Sequence, residues 1–350
     1  MNKLSNLIDE HQSIRQGMEL LDKVGKEALD VLFVIDAEGR LLGTLSDGDI
    51  RRGLLAGSTM EDDIGGLCNV NCKYLKDGKF TIEEVRAFKA SNNHIIPLID
   101  EDRRIIKVFN LTAKRSILPL SVFISAGGKG TRLKPLTDNC PKPMLKLGDK
   151  PILEYNIDRL ISFGVVNFYI SVSYLGEQIK DYFKNGKHKE VNIFYVEEDH
   201  PLGTIGGISL VEEFKSEYIL LCNSDLLTTI NYEVFFESFI EEEADLSVCT
   251  IPYKVIIPYG VIETENNVIK ALSEKPTYTY YSNGGIYLFK KEVLKNIPYN
   301  SFYNTTDLIL KLIEDGKKVL SHPLVGYWLD IGQMHEYEKA QNDIKNLDLI

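Results

Sequence analysis

From about Leu120 onward, the chain alternates short apolar segments with segments of helical spacing. The apolar, strand-like segments are residues 121–124, 165–172, 191–196, 218–222 and 246–251. The helix-like segments include residues 152–163, 176–185 and a helix that begins at Thr305 and ends at Gly316. This alternation predicts an α/β fold with a mostly parallel, Rossmann-like sheet that is covered on both sides. Ligands in such folds bind beyond the carboxyl ends of the strands, so we expect the functional residues just after Ile124 and Cys222.

The first 118 residues contain an internal repeat. Residues 31–36 form an apolar run that ends in an acid, and residues 41–45 form a second apolar run. Both runs return 64 residues later, at 95–100 and 105–109. A segment of helical spacing precedes each copy, so each copy predicts a helix followed by a β-hairpin. Two such copies predict a small α+β unit with a shared core. We therefore expect two domains, residues 1–118 and residues 119–350, in a chain of 350 residues.

Composition and charge narrow the function classes. The formal net charge is −11 and the pI is about 5.2, which argues against a nucleic-acid partner, since that would need a basic surface. No apolar run reaches the ~18 residues of a membrane helix, and the first residues lack the apolar stretch of a signal peptide. We therefore expect a cytoplasmic protein with no membrane partner. The five cysteines are an odd number and are scattered, which predicts reduced thiols.

The strongest chemical signal is the glycine-rich loop that follows the apolar run at 121–124. Its three glycines let the backbone approach a ligand closely and direct N–H groups at an anion. The loop is not a P-loop, because no Gly-Lys pair is followed by Ser or Thr, and Leu133 replaces the third glycine of the dinucleotide fingerprint. Arg132 can hold two phosphate oxygens and Lys142 can supply a point charge, so we expect a phosphate site here. The alternative is a tight turn with surface cations.

This loop resembles the signature of the sugar-1-phosphate nucleotidyltransferases, the nucleotide-sugar pyrophosphorylases. The resemblance extends over nearly all of residues 121–350. Two departures are Ser224, in place of a glycine in the metal motif, and Ser125, in place of a large apolar residue. The resemblance implies that a sugar 1-phosphate oxygen attacks the α-phosphorus of a nucleoside triphosphate and that pyrophosphate leaves. The segments that carry it beyond the loop are residues 201–207, 223–225, 259–263, 274–276, 283–287 and 328–332.

The resemblance also implies a role for each matching residue. Arg132 and Lys142 are expected to be catalytic, and Asp225 and Asp330 to hold Mg²⁺, which prefers oxygen ligands. The alternative for either aspartate is a helix cap or a turn. The expected sugar-phosphate ligands are Gly260, Glu274, Lys275 and Asn283. The expected nucleotide ligands are Ala126, Gly127, Gly128, Gly130, Thr131, Glu197, Gly203 and Thr204.

The base is predicted from the two glutamates, Glu197 and Glu198, that precede the segment 201–204. Guanine offers two adjacent donors, N1–H and N2–H₂, which one carboxylate accepts side by side. Uracil and thymine offer one N–H between two carbonyls, which suits an amide better. We therefore favour GTP, with Glu197 as the residue that reads the base; the alternative is that both glutamates face water.

The sugar is predicted from the resemblance alone. The chain is similar to guanylyltransferases of this family, including those with a CBS-domain pair that act on glucosamine 1-phosphate in legionaminic acid synthesis. Glucosamine 1-phosphate is therefore the favoured acceptor, and mannose 1-phosphate or glucose 1-phosphate is the alternative. A uridylyl- or thymidylyltransferase that acts on glucose 1-phosphate is the alternative for the activity.

The N-terminal repeat resembles a CBS-domain pair. In that family an acid holds a ribose and a hydroxyl holds a phosphate, so Ser46 and Asp49 are expected to bind one regulatory nucleotide. The second copy, at 107–112, lacks the acid. The alternative is a packing or dimerisation unit, and we expect a homo-oligomer.

Two other function classes are weighed against the enzyme. A nucleotide sensor with an inactive catalytic half predicts the loss of the charged site residues, all of which are present. A glycosyltransferase predicts an Asp-x-Asp pair at a strand end. Asp47 and Asp49 have that spacing but lie in the other domain.

Overall fold

The computed structural model describes residues 5–25, 30–91, 94–112 and 114–349. The chain divides into two compact units. The N-terminal unit comprises Met1–Pro119 with Ser162–Gly164, and the C-terminal unit comprises Leu120–Ile161 with Val165–Ile350. Within the described residues, no helix combines the length and the apolar character that crossing a membrane requires.

The N-terminal unit contains the predicted repeat. In each copy, a three-stranded sheet joins a parallel pair of strands to an antiparallel pair, with a register shift at the equivalent place. The first copy consists of β1 (Leu7–Asp9), α1 (Ile14–Gly25), β2 (Val31–Ile35), β3 (Leu41–Ser46) and α2 (Asp47–Leu55). The second copy consists of β4 (Leu75–Lys76), α3 (Ile82–Ala90), β5 (Ile95–Ile99) and β6 (Ile105–Asn110).

The two copies pair with one another and share a core. Arg40 and Arg104 occupy equivalent positions, 64 residues apart, and form an antiparallel bridge with one another. Phe33, Leu41 and Ile99 are buried in one hydrophobic cluster to which both copies contribute. Both observations fit the prediction of two similar units around one core, and the identity of the repeat as a CBS pair stays a prediction.

The C-terminal unit is built around one large sheet and its covering helices. Its helices are α4 (Ile152–Ser162), α5 (Gly176–Phe183), α6 (Tyr232–Glu241), α7 (Thr305–Glu314) and α8 (Met334–Asp343). Its strands are β7 (Leu120–Ser125), β8 (Lys146–Leu147), β9 (Lys150–Pro151), β10 (Asn167–Val172), β11 (Asn192–Glu197), β12 (Tyr218–Asn223), β13 (Leu226–Thr228), β14 (Leu246–Ile256), β15 (Val261–Glu265), β16 (Val268–Ser273), β17 (Thr277–Lys290), β18 (Val319–Pro323) and β19 (Trp328–Asp330).

The large sheet has seven strands in the order β11-β10-β7-β12-β17-β14-β18. Six strands run in the same direction and β17 runs against them, which confirms the predicted mostly parallel sheet. The central strands are buried along most of their length, as parallel strands covered on both faces must be. On one face, Phe123 and Leu221 share a core cluster with Leu308 and Leu312 of α7.

The sheet register brings the predicted functional segments together. Asn223 at the end of β12 lies beside Ser125 at the end of β7, and the N–H of Ser224 donates to the Ser125 carbonyl at 3.2 Å. A separate antiparallel pair, β13 with β19, places Leu226 opposite Asp330. Segments that are far apart in the chain therefore meet at the carboxyl edge of the parallel strands.

Candidate active site

The glycine-rich loop begins where β7 ends, at the predicted edge of the sheet. Ala126 is buried and its N–H donates to the Ser171 carbonyl at 3.2 Å. Gly130 has a φ of 61°, and a Cβ there would lie 2.9 Å from the Cβ of Lys142. Gly128 has open space where a side chain would stand. The loop is thus packed tightly at Gly130 and leaves room for a ligand at Gly128.

Lys142 and two aspartates form a charged cluster beside this loop. Lys142 begins a short 3₁₀ helix, Lys142–Met144, and its side chain is 11% exposed. Its Nζ donates to Oδ2 of Asp225 and lies 4.0 Å from Oδ1 of Asp330. The N–H of Ile331 donates to the Asp225 carbonyl at 3.0 Å, which ties the two aspartate-bearing segments together. The structure therefore brings the three predicted residues into one site.

Arg132 lies at the same site, on the short 3₁₀ helix Thr131–Leu133. A Cβ at Gly332 would lie 3.7 Å from Nη2 of Arg132 and 3.5 Å from Oδ1 of Asp330. Burial and the charge of Asp225 raise the pKa of Asp330 to about 6, against the opposing effects of Lys142 and Arg132. The site thus concentrates Lys142, Arg132 and the two aspartates, with the Glu336 carboxylate beside them, in a partly buried space, where charge interactions are stronger than in water.

The two aspartates fit a bound Mg²⁺. Oδ1 of Asp225 and Oδ1 of Asp330 are buried and have no hydrogen-bond partner, and such atoms usually have one. Within the described part of the chain, no group of three or more His, Cys, Asp or Glu side chains is arranged to hold a metal ion. A site with two carboxylates suits Mg²⁺, which completes its coordination with waters and substrate phosphates.

A pocket of about 250 Å³ adjoins the aspartate pair, and Asp330 is part of its wall. Of the predicted residues, Asn283 and Thr204 line this pocket. Thr204 accepts a hydrogen bond from the N–H of Thr305 at 2.8 Å, and a Cβ at Gly203 would lie 2.5 Å from the Tyr303 carbonyl. The segment predicted to contact the base therefore packs on the start of α7.

The structure brings Glu198, and not Glu197, to the glycine-rich loop. Glu197 is exposed and its carboxylate pairs with Lys180 at 2.5 Å. A Cβ at Gly127 would lie 3.3 Å from Oε2 of Glu198, and a Cβ at Gly207 would lie 2.5 Å from its Oε1. Burial raises the pKa of Glu198, although hydrogen bonds from neighbouring groups act against this shift. Glu198 is thus a half-buried carboxylate between two glycine-rich segments.

The remaining predicted sugar-phosphate residues form an exposed group outside the pocket lining. A Cβ at Gly260 would lie 3.1 Å from Oε2 of Glu274, so these two residues are neighbours. Gly260, Glu274 and Lys275 are exposed and do not line the pocket that Asn283 lines. Of the four predicted sugar-phosphate residues, only Asn283 therefore lines this pocket.

Ser46 and Asp49 form the N-terminal cap of α2. The side chain of each accepts a hydrogen bond from the backbone N–H of the other, which is a capping box. The Ser46 hydroxyl also donates to Asp49 at 2.6 Å, and Arg52 pairs with the second oxygen of Asp49 at 2.5 Å. Helix capping accounts for both residue types, and the predicted nucleotide ligation stays a prediction.

Sequence reasoning missed part of the pocket wall. Asn223 ends β12, and Gly285, with a φ of 71°, approaches it so closely that a Cβ would lie 2.7 Å from the Asn223 amide nitrogen. Trp328 donates its indole N–H to the Gly284 carbonyl at 2.9 Å. The sequence placed Asn223 at the edge where ligands bind, within the segment 223–225, but predicted no role of its own for it. The pocket residues outside every segment predicted for the site are Leu226, Asn304, Thr305 and Thr306.

Comparison with known proteins identifies the class to which this fold and site belong. The profile of the nucleotidyl transferase family matches residues 122–346, nearly the whole C-terminal unit. The chain therefore belongs to the nucleotidyl transferase family. This finding confirms the family resemblance that the glycine-rich loop and the later segments predicted, and it leaves the N-terminal repeat untouched.

Individual relatives carry names from sugar-1-phosphate chemistry. The chain is 30% identical over 256 residues to the UTP–glucose-1-phosphate uridylyltransferase of Synechocystis sp., a match that covers 66% of each protein. It is 29% identical over 229 residues to the D-glycero-α-D-manno-heptose 1-phosphate guanylyltransferase of Aneurinibacillus thermoaerophilus, covering 65% of this chain and 99% of that one. The chain thus spans about two thirds of the first relative and nearly all of the second.

A solved structure from Bacillus anthracis, described as a glucose-1-phosphate thymidylyltransferase in complex with a sucrose, has a similar fold. It superposes with a TM-score of 0.54 at 21% identity and covers 65% of this chain and 96% of that one. At this level of identity the similarity shows the fold alone.

Proposed function

We propose that this protein transfers a guanylyl group from GTP to a sugar 1-phosphate and releases pyrophosphate, with glucosamine 1-phosphate as the favoured acceptor. The observation that carries the proposal is the convergence of Arg132, Lys142, Asp225 and Asp330 at the mouth of the glycine-rich loop. Positive and negative groups at one point suit a substrate with several phosphates. The names of the relatives, which include a guanylyltransferase and a uridylyltransferase, support the reaction class.

The residues of the site perform this reaction by positioning and by neutralising charge. The loop N–H groups and Arg132 face the triphosphate. Negative charge builds up on the departing pyrophosphate as the sugar phosphate oxygen attacks the α-phosphorus. When bound, Mg²⁺ is held by Asp225 and Asp330 and supplies positive charge to the phosphates. Lys142 offsets the mutual repulsion of the two carboxylates and keeps them together. No covalent protein intermediate is needed.

The pocket beside Asp330 suits the acceptor sugar. Its volume of about 250 Å³ is near the lower end of ligand pockets, which begin at ~300 Å³, and so it fits a single sugar ring. Asn223, Asn283 and Thr305 supply amide and hydroxyl groups to its wall, and such groups donate to and accept from sugar hydroxyls. The acceptor and the metal carboxylates are therefore neighbours.

Glu198 takes the role of base reader that Glu197 was predicted to have. Its carboxylate lies against the glycine-rich loop, where it accepts N1–H and N2–H₂ of guanine side by side. The carbonyls of uracil and thymine would repel the same carboxylate. The position of Glu198 therefore favours GTP.

The experiment is pyrophosphate release measured with four nucleoside triphosphates against glucosamine, mannose and glucose 1-phosphates. GTP is expected to give the highest kcat/KM. Glu198→Gln is expected to lower the ratio of kcat/KM for GTP to that for UTP about 10- to 100-fold, since each hydrogen bond to a charged group contributes about 1.5–3 kcal/mol. Glu197→Gln is the matched control and should leave the ratio unchanged. Preference for UTP or dTTP with every acceptor would refute the guanylyl assignment.

A further inference from the structure

Thr137 is a buried polar residue for which the sequence predicted no role. It is 1% exposed, and its hydroxyl donates to the Gly130 carbonyl at 2.9 Å. The N–H of Leu133 donates to the same carbonyl, also at 2.9 Å. A carbonyl oxygen has two lone pairs, so both acceptor positions of the Gly130 carbonyl are occupied by groups of the protein. One buried side chain thus helps to fix the glycine-rich loop at Gly130.

The bond from Thr137 also orients the next peptide N–H. A peptide group is planar and trans, so the Gly130 carbonyl and the Thr131 N–H point in opposite directions. Because the carbonyl points to the buried Thr137, the N–H points away from it. Thr131 is exposed, and its N–H donates to none of the residues that the structure describes. Such an N–H is available to an anion that approaches the loop.

The main chain around Thr137 is itself held in position by two other side chains. The Tyr174 hydroxyl donates to the carbonyls of Thr137 and Asp138, at 3.3 and 2.9 Å. The side-chain amide of Gln178, in α5, donates to the Asn139 carbonyl at 3.0 Å. Three successive carbonyls are therefore fixed. The Thr137 hydroxyl projects from a backbone that is already ordered, so less ordering remains to be done when a ligand binds.

We propose that Thr137 is a positioning residue for nucleotidyl transfer, whose hydroxyl holds the Gly130–Thr131 peptide so that the Thr131 N–H faces the triphosphate. The inference rests on the proposed role of the glycine-rich loop in holding the triphosphate, and it applies to any base and any sugar. N–H groups that are oriented in advance stabilise phosphate charge without reorganising during the reaction. A Cβ at Gly130 would lie 3.1 Å from Cγ2 of Thr137 and 2.9 Å from Cβ of Lys142. The oriented peptide is therefore a neighbour of the predicted catalytic lysine.

The alternative is a purely structural role, because a buried hydroxyl needs a partner in any case. The two roles differ in what they change. A structural hydroxyl contributes to stability alone, whereas a positioning hydroxyl also sets the affinity of the loop for phosphate. Arg132 provides the reference, because it lies in the same 3₁₀ helix as Thr131 and its guanidinium is expected to bind phosphate directly.

Calorimetry of the full chain with inorganic tripolyphosphate in MgCl₂ distinguishes the two roles without a base or a sugar. Thr137→Val replaces the hydroxyl by a methyl group, and the Kd should rise roughly 10-fold, about the effect of one hydrogen bond. Thr137→Ser keeps the hydroxyl and should stay within about twofold of the wild-type Kd. In steady-state kinetics, Thr137→Val should raise KM for the nucleoside triphosphate and leave KM for the sugar 1-phosphate unchanged.

Thr250→Val is the matched control for the loss of a buried hydroxyl. Thr250 is 7% exposed, and its hydroxyl lies 2.8 Å from that of Ser321, to which it is hydrogen-bonded. The control should lose stability and keep the wild-type Kd for tripolyphosphate. A Kd that rises as much in Thr250→Val as in Thr137→Val would overturn the inference, because the effect would then follow from the loss of any buried hydroxyl.

The Arg132→Ala variant separates failure of this inference from failure of the proposed function. If Arg132→Ala weakens tripolyphosphate binding and Thr137→Val does not, or if Thr137→Ser loses as much affinity as Thr137→Val, the inference alone is overturned. If the wild-type chain does not bind tripolyphosphate, or if Arg132→Ala binds it equally well, the proposed role of the loop fails and the inference fails with it.

Tyr174→Phe covers the case in which Thr137→Val does not fold. It removes the hydroxyl that holds the carbonyls of residues 137 and 138, at a half-buried position. The Kd for tripolyphosphate should rise about threefold, since the positioning threonine is then held less firmly. An unchanged Kd in this variant would overturn the inference.

Discussion

Replacing Lys142 by Met should destabilise the C-terminal unit in a way that Mg²⁺ reverses. The variant keeps the apolar stem of Lys142 and removes the charge that bonds to Asp225 and lies 4.0 Å from Asp330. Two carboxylates then share a partly buried space without the cation between them. The pKa of Asp330, which burial and the charge of Asp225 already raise to about 6, loses the opposing effect of the lysine.

The size of the loss follows from the burial of the pair. Removing one partner of a buried ion pair costs about 3–5 kcal/mol, and the lower end applies because Asp225 keeps 18% of its side-chain surface in water. For a unit of this size, each kcal/mol lowers Tm by about 2–4 °C. Lys142→Met should therefore lower Tm by about 6–12 °C in EDTA.

Mg²⁺ should restore most of this stability if Asp225 and Asp330 bind it. A ligand at 100 times its dissociation constant stabilises the folded state by about 2.7 kcal/mol, close to the expected loss. The assay is thermal unfolding in EDTA, in MgCl₂ and in NaCl of equal ionic strength. Lys189→Met is the matched control, because Lys189 is 15% exposed and bonds to Glu154 and Asp158, both at 2.6 Å, outside the site. It should lose stability without recovery in MgCl₂.

Two results would refute the reasoning. Equal recovery of the Lys142 and Lys189 variants would mean that Mg²⁺ stabilises any largely buried pair of carboxylates that has lost its lysine. No recovery of Lys142→Met would mean that the two aspartates do not hold the ion. Because the readout is stability, neither result depends on which nucleotide or sugar the enzyme uses.

Three further predictions concern individual residues. Asp225→Asn should lower kcat about 100-fold or more in the presence of Mg²⁺, and near-normal pyrophosphate release would remove Asp225 from the metal site. KM for GTP should rise on acidification, because only ionised Glu198 accepts both guanine donors. Burial raises the pKa of Glu198, so the rise should begin at a higher pH than the titration of an ordinary carboxylate would give. The pH profile of Glu198→Gln should lack this rise. Ser46→Ala should lower the free energy of unfolding by about 1 kcal/mol through loss of the α2 cap. Calorimetry of the full chain with AMP, ATP, GMP and GTP should detect one nucleotide site, and Asp49→Ala should remove it.

The glycine-rich loop and the strand-end position of Asp225 could be predicted from the sequence, because both depend on local pattern. The metal role of Asp225 came from the family resemblance and stays a prediction. An apolar strand followed by glycines at Gly127 and Gly128 identifies the edge of a parallel sheet, and Asp225 follows the next central strand. Asp330 was found through the family resemblance alone. Its place beside Asp225 depends on the pairing of β13 with β19, and periodicity within one segment does not reveal a pairing between distant segments.

The choice between Glu197 and Glu198 shows a second limit of prediction from the sequence. Successive side chains of a strand leave on opposite faces, so a shift of one residue at the end of β11 decides which carboxylate reaches the loop. The sequence does not fix that end to one residue. The pocket wall at Asn304 and Thr305 was hidden for a related reason, since the same residues that begin α7 also line the cavity.

The late position of β19 in the chain has a consequence for protein synthesis. All seven strands of the large sheet are complete at Pro323, before Asp330 has been translated. On the proposed function, a nascent or prematurely terminated chain that stops between these points has the sheet, Lys142 and Asp225 but lacks the second carboxylate. Such a chain would be unable to consume GTP, so turnover would begin only once Asp330 has been added and has paired beside Asp225.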